Sequence, residues 1–155
     1  MTQSGVDPDE TATRERALAN ARVALAVAAS EPAQIWPVAR IKSGAPGFFL
    51  VVFGAPQAAV GLAAVDRASG AVFAKAHLPG CSPHHLISAE EALQRAGLGA
   101  GAEAVLAWDP VSASRSPFYP LWQVRGGDKT IWVNSVTGTT CATLDAPRGG
   151  GKAQC

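Results

Sequence analysis

Hydrophobic and polar positions divide the chain into two blocks, each of which predicts one helix followed by several strands. The first block opens with an alanine-rich segment, residues 13–30, whose apolar positions recur at the spacing of a helix face. These positions are Leu18, Ala21, Leu25 and Ala28. Asp9 or Thr11 is the predicted N-cap of this helix, and Pro32 predicts its end.

Strands are predicted after this helix. Residues 34–41 alternate in polarity, and Pro37 removes one hydrogen-bond donor, which favours an edge strand or a bulge. Residues 48–53 are apolar on both faces, which is typical of a central strand covered by a helix on one side. Residues 58–65 and 71–78 flank a polar corner, so we expect them to form a hairpin.

The second block repeats this order. Ser88 and Glu91 have the spacing of a capping box, and Gly97 and Gly99 predict the end of a second helix. Three strands are predicted after this helix, at residues 104–108, 118–124 and 130–133.

Two polar corners resemble each other across the blocks. The sequence V-D-R-A-S-G-A-V-F at 65–73 and the sequence V-N-S-V-T-G-T-T at 133–140 lie 68 positions apart. Each corner ends in a glycine, the residue that takes the positive φ of a short turn at little cost. The same offset places Leu18, Ala24, Leu25 and Ala28 on Leu86, Ala92, Leu93 and Ala96. We therefore predict a tandem duplication.

A helix, antiparallel strands and a V-D-x-x-[ST]-G-x-V hairpin together resemble the PepSY and cystatin-like group of small α+β domains. The nearest resemblance is to bacterial immunity-type proteins of that shape, over residues 12–88 and again over the second block. The S-x-S-P-F-x-P-x-W segment at 114–122 is similar to further relatives of the group. The resemblance implies a non-catalytic domain that binds a protein or peptide as an inhibitor, immunity factor or chaperone.

The predicted fold class is therefore α+β, with two helix-plus-antiparallel-sheet units packed as a pseudo-repeat. We expect the first unit at residues 10–80 and the second at 81–145. Residues 1–9 and the glycine-rich residues 146–155 are expected to be flexible tails.

Composition narrows the functional classes. With 13 basic and 12 acidic side chains, the net charge of +1 gives no long-range attraction for nucleic acid or an anionic membrane. No apolar run approaches the roughly 20 residues that span a bilayer, and the N-terminus has no secretory pattern. Three cysteines at unrelated spacings predict reduced thiols. We therefore expect a cytoplasmic protein.

The sequence contains few candidate metal-binding or catalytic residues. Cys81, His84 and His85 are weak candidates for metal ligands, because no second cluster completes the four ligands of a tetrahedral site. An interdomain loop with partly exposed histidines is the favoured interpretation. No G-x-S-x-G or phosphate-binding loop occurs, and Glu90 and Glu91 are explained by the start of a helix. We predict no catalytic residues and no cofactor.

Aromatic residues are the candidate binding feature. The four tryptophans, Trp36, Trp108, Trp122 and Trp132, fall on predicted strands. Each one alone favours a core position, but we expect at least one exposed anchor. The predicted partner-binding residues are Arg115, Phe118, Tyr119 and Trp122, in a segment stiffened by prolines. Arg115 could bind a carboxylate or a phosphate, and a solvated loop is its alternative interpretation.

Two other functions stay open. A small enzyme or ligand-binding protein could use a cavity between the helix and a curved sheet, and a buried polar cluster around His77, His84 or His85 would favour it. An open aromatic patch would favour the binding protein. A homodimer could form through an unpaired sheet edge.

Overall fold

The computed structural model describes residues 8–42, 46–55, 57–111 and 114–144, and of residues 79–82 it describes the backbone only. The fold is α+β, as predicted, with two helices and one mixed sheet of eight strands among these residues. The helices are α1 (Pro8–Leu25) and α2 (Ala89–Ala96). The strands are β1 (Ala33–Arg40), β2 (Phe48–Ala55), β3 (Ala58–Asp66), β4 (Val72–Ser82), β5 (Glu103–Trp108), β6 (Leu121–Gly126), β7 (Lys129–Asn134) and β8 (Thr140–Cys141).

The strands follow the order β4-β3-β2-β1-β5-β6-β7-β8 in the sheet. β1 and β5 pair in parallel, whereas the β2–β3, β3–β4, β5–β6, β6–β7 and β7–β8 pairs are antiparallel. Pro37 predicted an edge strand or a bulge; β1 lies between β2 and β5, so it is not an edge along its whole length, but β5 pairs only with Ala39 and Arg40, which follow Pro37.

The chain divides into two compact units, Met1–Pro37 with Pro46–Pro83, and Val38–Ala45 with His84–Cys155. We predicted a single boundary, between residues 80 and 81. The structure instead assigns the last residues of β1, from Val38 onward, to the second unit. The predicted C-terminal tail lies outside the described residues, as do residues 1–7, while Pro8 and Asp9 are helical.

In the first unit, α1 covers one face of β2 and β3. Ala17, Ala21 and Leu25 pack in one core cluster with the β2 side chains of Phe49 and Phe53. All but the last residue of β2 are buried, so the predicted central strand is confirmed. Removing apolar surface of this kind from water contributes about 1.5–3 kcal/mol for each fully buried large side chain.

The bounds of α1 differ from the prediction at both ends. The helix begins at Pro8, and proline suits the first turn because it has no N–H group that would need an acceptor. Asp9 and Thr11 therefore lie inside the helix and do not cap it. It ends at Leu25 because Ala26 takes a positive φ of 52°. Ala28 consequently lies beyond the helix and is exposed.

In the second unit, α2 confirms the predicted capping. The Ser88 side chain accepts a hydrogen bond from the backbone N–H of Glu91 at 3.1 Å. Gly97 closes the other end in the left-handed conformation, with a φ of 65°. Ala92 is the buried residue of this short helix.

The tryptophans all lie on strands, as predicted, but they do not form an exposed surface. Trp108, Trp122 and Trp132 are buried, and Trp36 is half-buried. The expectation of an exposed tryptophan anchor is therefore wrong for these positions, and the favoured alternative of core packing applies.

The first hairpin, β3–β4, is closed by its own polar corner. The Asp66 carboxylate accepts hydrogen bonds from the backbone N–H and the hydroxyl of Ser69, at 2.8 and 3.0 Å. Gly70 donates to the Asp66 carbonyl at 2.8 Å and has a φ of 75°. The Ser69 hydroxyl also accepts from Ala71 at 3.1 Å.

The β7–β8 hairpin repeats this pattern. The Asn134 side-chain oxygen accepts from the N–H of Thr137 at 2.9 Å, and the Thr137 hydroxyl accepts from Thr139 at 3.2 Å. Gly138 donates to the Asn134 carbonyl at 2.9 Å with a φ of 74°. The two corners are thus equivalent in sequence and in hydrogen bonding.

The equivalence does not extend to the helices at the same offset. Adding 68 to Pro8–Leu25 gives residues 76–93, which begin inside β4 and include the first five of the eight residues of α2. Leu86, the predicted counterpart of Leu18, lies outside α2. The offset does relate strands, because adding 68 to β1 and β3 gives residues 101–108 and 126–134, which contain β5 and β7.

A helix arginine lies against each hairpin glycine. A Cβ atom at Gly70 would be 2.8 Å from Arg16 Nε of α1, and one at Gly138 would be 2.6 Å from Arg95 Nε of α2. Arg16 also donates to the carbonyls of Arg67 and Ala68, at 3.3 and 3.1 Å. The positive φ favours glycine at both positions, and a larger residue would also displace the arginine head.

Gly138→Ala should destabilise the protein by about 1–2 kcal/mol from the positive φ alone, and by more because Arg95 must move. Gly127 is the matched control, since it has a φ of 61° but a Cβ atom there would meet no other atom within 4 Å. Asparagine tolerates positive φ, so the asparagine variant should cost less than the alanine variant at both positions, while each Gly138 variant should cost more than its Gly127 counterpart because Arg95 must move. Urea unfolding of the four variants measures this, and equal costs at the two positions would contradict it.

Cys141 on β8 is disulfide-bonded, with a partner cysteine outside the described side chains. The prediction of reduced thiols is therefore wrong for this residue. Odd cysteine counts do not exclude a single bridge, and spacing alone does not indicate which thiols meet in space. The bond constrains a strand that contributes only two residues to the sheet.

Reduction should lower the free energy of unfolding by about 2–4 kcal/mol, because the open chain has more conformational freedom when unfolded. Cys141→Ser should show this lower stability without reductant and should not respond to dithiothreitol. Peptide mapping under non-reducing conditions identifies the partner cysteine. A wild-type protein with the same urea midpoint in oxidised and reduced form would contradict the prediction.

Candidate functional site

The loop at residues 114–119 is held by its own serines. The buried Ser114 hydroxyl donates to the Tyr119 carbonyl at 2.6 Å. The Ser116 hydroxyl accepts from the N–H of Phe118 at 3.2 Å, and the Ser116 carbonyl accepts from Tyr119 at 3.1 Å. Ser114 and Val111 exchange two backbone hydrogen bonds of 3.1 Å at the start of the loop. The backbone conformation is thus set before any ligand binds.

A cleft of about 340 Å³ lies between this loop and the β7–β8 corner. We call it the loop-turn cleft. Its lining residues are Ser114, Arg115, Ser116 and Tyr119 from the loop, with Asn134, Val136 and Thr137 from the corner. Both walls are turns closed by side-chain hydrogen bonds, so the cleft has a defined shape.

The structure separates the four predicted partner-binding residues. Arg115 is exposed, Phe118 is half-buried, and Tyr119 is 45% exposed. Trp122 is only 6% exposed, and its indole N–H donates to the Ile87 carbonyl at 3.1 Å. Trp122 is therefore buried and does not present the contact surface predicted for it.

His84 supports the loop from below. Its side chain is 4% exposed, and its ring makes an edge contact with the Tyr119 ring at 5.3 Å. Burial lowers the pKa of His84 below its ordinary value of 6.5, and a hydrogen bond with the Phe118 backbone partly opposes this shift. Nε2 is buried and has no hydrogen-bond partner among the described residues. The ring is therefore neutral and poorly suited to accept a proton.

Sequence reasoning missed the wall formed by the β7–β8 corner. Asn134, Val136 and Thr137 belong to the recognised hairpin motif, but a turn signal does not indicate which loop packs opposite it. Ser135 lies between two lining residues and is fully buried, and its hydroxyl also has no partner among the described residues.

The weak metal candidates do not form a site in the described structure. His84 is buried and His85 is exposed, while the Cys81 side chain lies outside the described residues. No group of three or more His, Cys, Asp or Glu side chains in the described part of the chain is arranged to hold a metal ion.

A larger cleft of about 500 Å³ lies in the first unit, beside Glu10 and Arg16 of α1 and Arg67 of the β3–β4 corner. Its charges are already engaged. Glu10 lies 3.6 Å from Arg14, Arg16 binds turn carbonyls, and Arg67 lies over the Phe49 ring at 5.5 Å. The loop-turn cleft is therefore the better candidate for a ligand.

Comparison with protein-family models, curated proteins and solved structures finds no match to this chain. The PepSY and cystatin-like resemblance thus stays a prediction from the hairpins and the order of elements. Neither helix of the described chain has the length and hydropathy needed to cross a membrane.

Stability should decrease at low pH through a contribution from His84. The unfolded chain takes up a proton near pH 6.5, while the buried ring resists it, so the unfolded state binds more protons as the pH decreases below that value. The free energy of unfolding decreases by at most about 1.4 kcal/mol for each pH unit over which His84 is protonated in the unfolded chain but not in the folded one. Urea unfolding of the wild type at pH 7.5 and 5.5 measures it.

His84→Gln should remove this part of the pH dependence, and the neighbouring exposed His85→Gln is its matched control. Other titrating groups are common to all three proteins and cancel in the comparison. An unchanged pH dependence in His84→Gln, or a loss of equal size in His85→Gln, would contradict the assignment.

Proposed function

We propose that this protein is a non-catalytic binding protein that engages a protein or peptide partner through the 114–119 loop. The observation that supports this most directly is the exposure of Tyr119 and Arg115 on a loop held by internal hydrogen bonds. An immunity, inhibitor or chaperone-like role would use the site in this way.

The proposed binding function is supported energetically by the preorganisation of the 114–119 loop. A loop that is already ordered loses little conformational entropy on binding, so more of the contact energy appears as affinity. Tyrosine combines a large apolar ring with a hydroxyl, and it is enriched among residues that dominate interfaces. The Tyr119 ring is fixed from one side by His84 and open on the other.

The enzyme alternative would be favoured by a buried polar cluster around His77, His84 or His85. Of the three, His84 alone is buried, and it does not line the loop-turn cleft, while His77 and His85 are exposed. The loop-turn cleft has a single charged side chain, Arg115, among its lining residues. We therefore favour binding without chemistry.

Three further predictions belong to this proposal. A pseudo-repeat of the two units is supported by the equivalent corners at Asp66 and Asn134. A homodimer would use β4, which ends the sheet and is eleven residues long. The expected cytoplasmic location is opposed by the disulfide at Cys141, because disulfides persist mainly in oxidising compartments, and we propose an oxidising compartment instead.

Tyr119→Ala should weaken binding of the native partner at least about tenfold, as expected for an exposed aromatic anchor. The partner is first captured from the host with the tagged wild-type protein and a chemical crosslinker, and it is then purified. Its dissociation constant for the wild type and for each variant is measured by calorimetry.

Phe73→Ala is the matched control, because Phe73 on β4 has nearly the same exposure, 44% against 45% for Tyr119. It should leave partner binding unchanged. If Phe73→Ala weakens binding while Tyr119→Ala does not, the partner uses the first unit and the proposed site is wrong.

A further inference from the structure

Arginine side chains in this protein are mostly committed to internal contacts. Eight of them lie among the described residues: Arg14, Arg16, Arg22, Arg40, Arg67, Arg95, Arg115 and Arg125. Six bind carbonyls or carboxylates, or lie over aromatic rings. The guanidinium groups of Arg115 and Arg125 have no hydrogen bond or ion pair to any described residue.

The surroundings of these two arginines differ. Arg125 is exposed on β6 directly opposite Glu103 of β5, so an acidic group is already nearby. Arg115 lies on the rim of the loop-turn cleft, whose other lining residues are uncharged. The cleft therefore has one positive charge and no negative charge among its lining residues.

The other cleft residues add an apolar component. Tyr119 presents an exposed ring, and Val136 is half-buried on the opposite wall. A volume of about 340 Å³ is near the lower end for small-ligand pockets, and it gives room for one or two side chains of a partner. Its chemistry complements an acidic side chain next to an apolar one.

We propose that the loop-turn cleft recognises an Asp or Glu side chain of the partner next to an apolar residue, with Arg115 binding the carboxylate. This inference rests on the proposed binding function and specifies the chemistry of the partner. Arginine suits this role because its planar guanidinium binds both carboxylate oxygens at once and stays charged at all working pH values.

The test uses two blocked peptides, Ac-Ala-Glu-Leu-Ala-NH2 and Ac-Ala-Gln-Leu-Ala-NH2, titrated into the full chain. NMR shifts of the Arg115 side chain and the Tyr119 backbone give the dissociation constants. At low salt the Glu peptide should bind about two- to fivefold more tightly, which is what an exposed ion pair contributes. The difference should disappear at 1 M salt, where the screening length is about 3 Å.

Two arginine variants test whether Arg115 causes the preference for the Glu peptide. Arg115→Gln should abolish the preference for Glu over Gln, while Arg125→Gln, the control at the other uncommitted arginine, should retain it. Equal binding of the two peptides by the wild type, or the absence of shifts in the cleft, would overturn the inference. A preference that Arg125→Gln removes would overturn it as well.

A third peptide separates the sources of the carboxylate. Ac-Ala-Gln-Leu-Ala-OH carries its negative charge at the chain end, and its binding in preference to the blocked Glu peptide would overturn the side-chain assignment. The proposed function is judged separately by the native partner. If Tyr119→Ala weakens partner binding and Arg115→Gln does not, the binding function stands and the carboxylate inference fails.

Discussion

Closure of a polar corner by its own side chain is the constraint on which both hairpins depend. Asp66 and Asn134 each accept backbone N–H groups within the turn, and a left-handed glycine completes the reversal. These bonds satisfy donors that a tight turn leaves without a strand partner. In the second unit the same corner is a wall of the loop-turn cleft, so the element that sets strand register also shapes the candidate site.

Arginines connect this constraint to the packing of the helices. Arg16 of α1 lies beside Gly70, and Arg95 of α2 lies beside Gly138, so a Cβ atom at either glycine would displace an arginine head. Arg22 lies over the Phe53 ring at 5.2 Å. Such contacts compensate the charged heads with carbonyls, a carboxylate or ring faces. Arg115 and Arg125 make no such contact among the described residues, and each lines a cleft. The cleft at Arg125 also contains Glu103, whereas Arg115 is the single charged residue that lines the loop-turn cleft.

Local signals predicted the parts of the fold that local energetics control. The Ser88 N-cap, the strand at residues 48–53 and both glycine corners depend on residues close in sequence, and each was found where expected, although the Glu91 carboxylate binds Arg95 rather than completing a capping box. The neighbours of β1 are a tertiary property, so Pro37 did not indicate that β5 pairs with the end of this strand. Burial of Trp122 and the packing of the 134–137 corner opposite the loop likewise depend on pairing across the sheet. The structure was therefore needed to show which side chains are exposed and which loop packs opposite the corner.

The site also departs from the usual rule that buried polar atoms find partners. His84 Nε2 and the Ser135 hydroxyl are buried without a hydrogen-bond partner among the described residues. One lies behind the Tyr119 ring, and the other sits between Asn134 and Val136 in the opposite wall. Each such group costs about 1–3 kcal/mol if no water reaches it. Because His84 contacts the Tyr119 ring and Ser135 adjoins Asn134 and Val136, a substitution at either position would change the wall of the cleft that it supports.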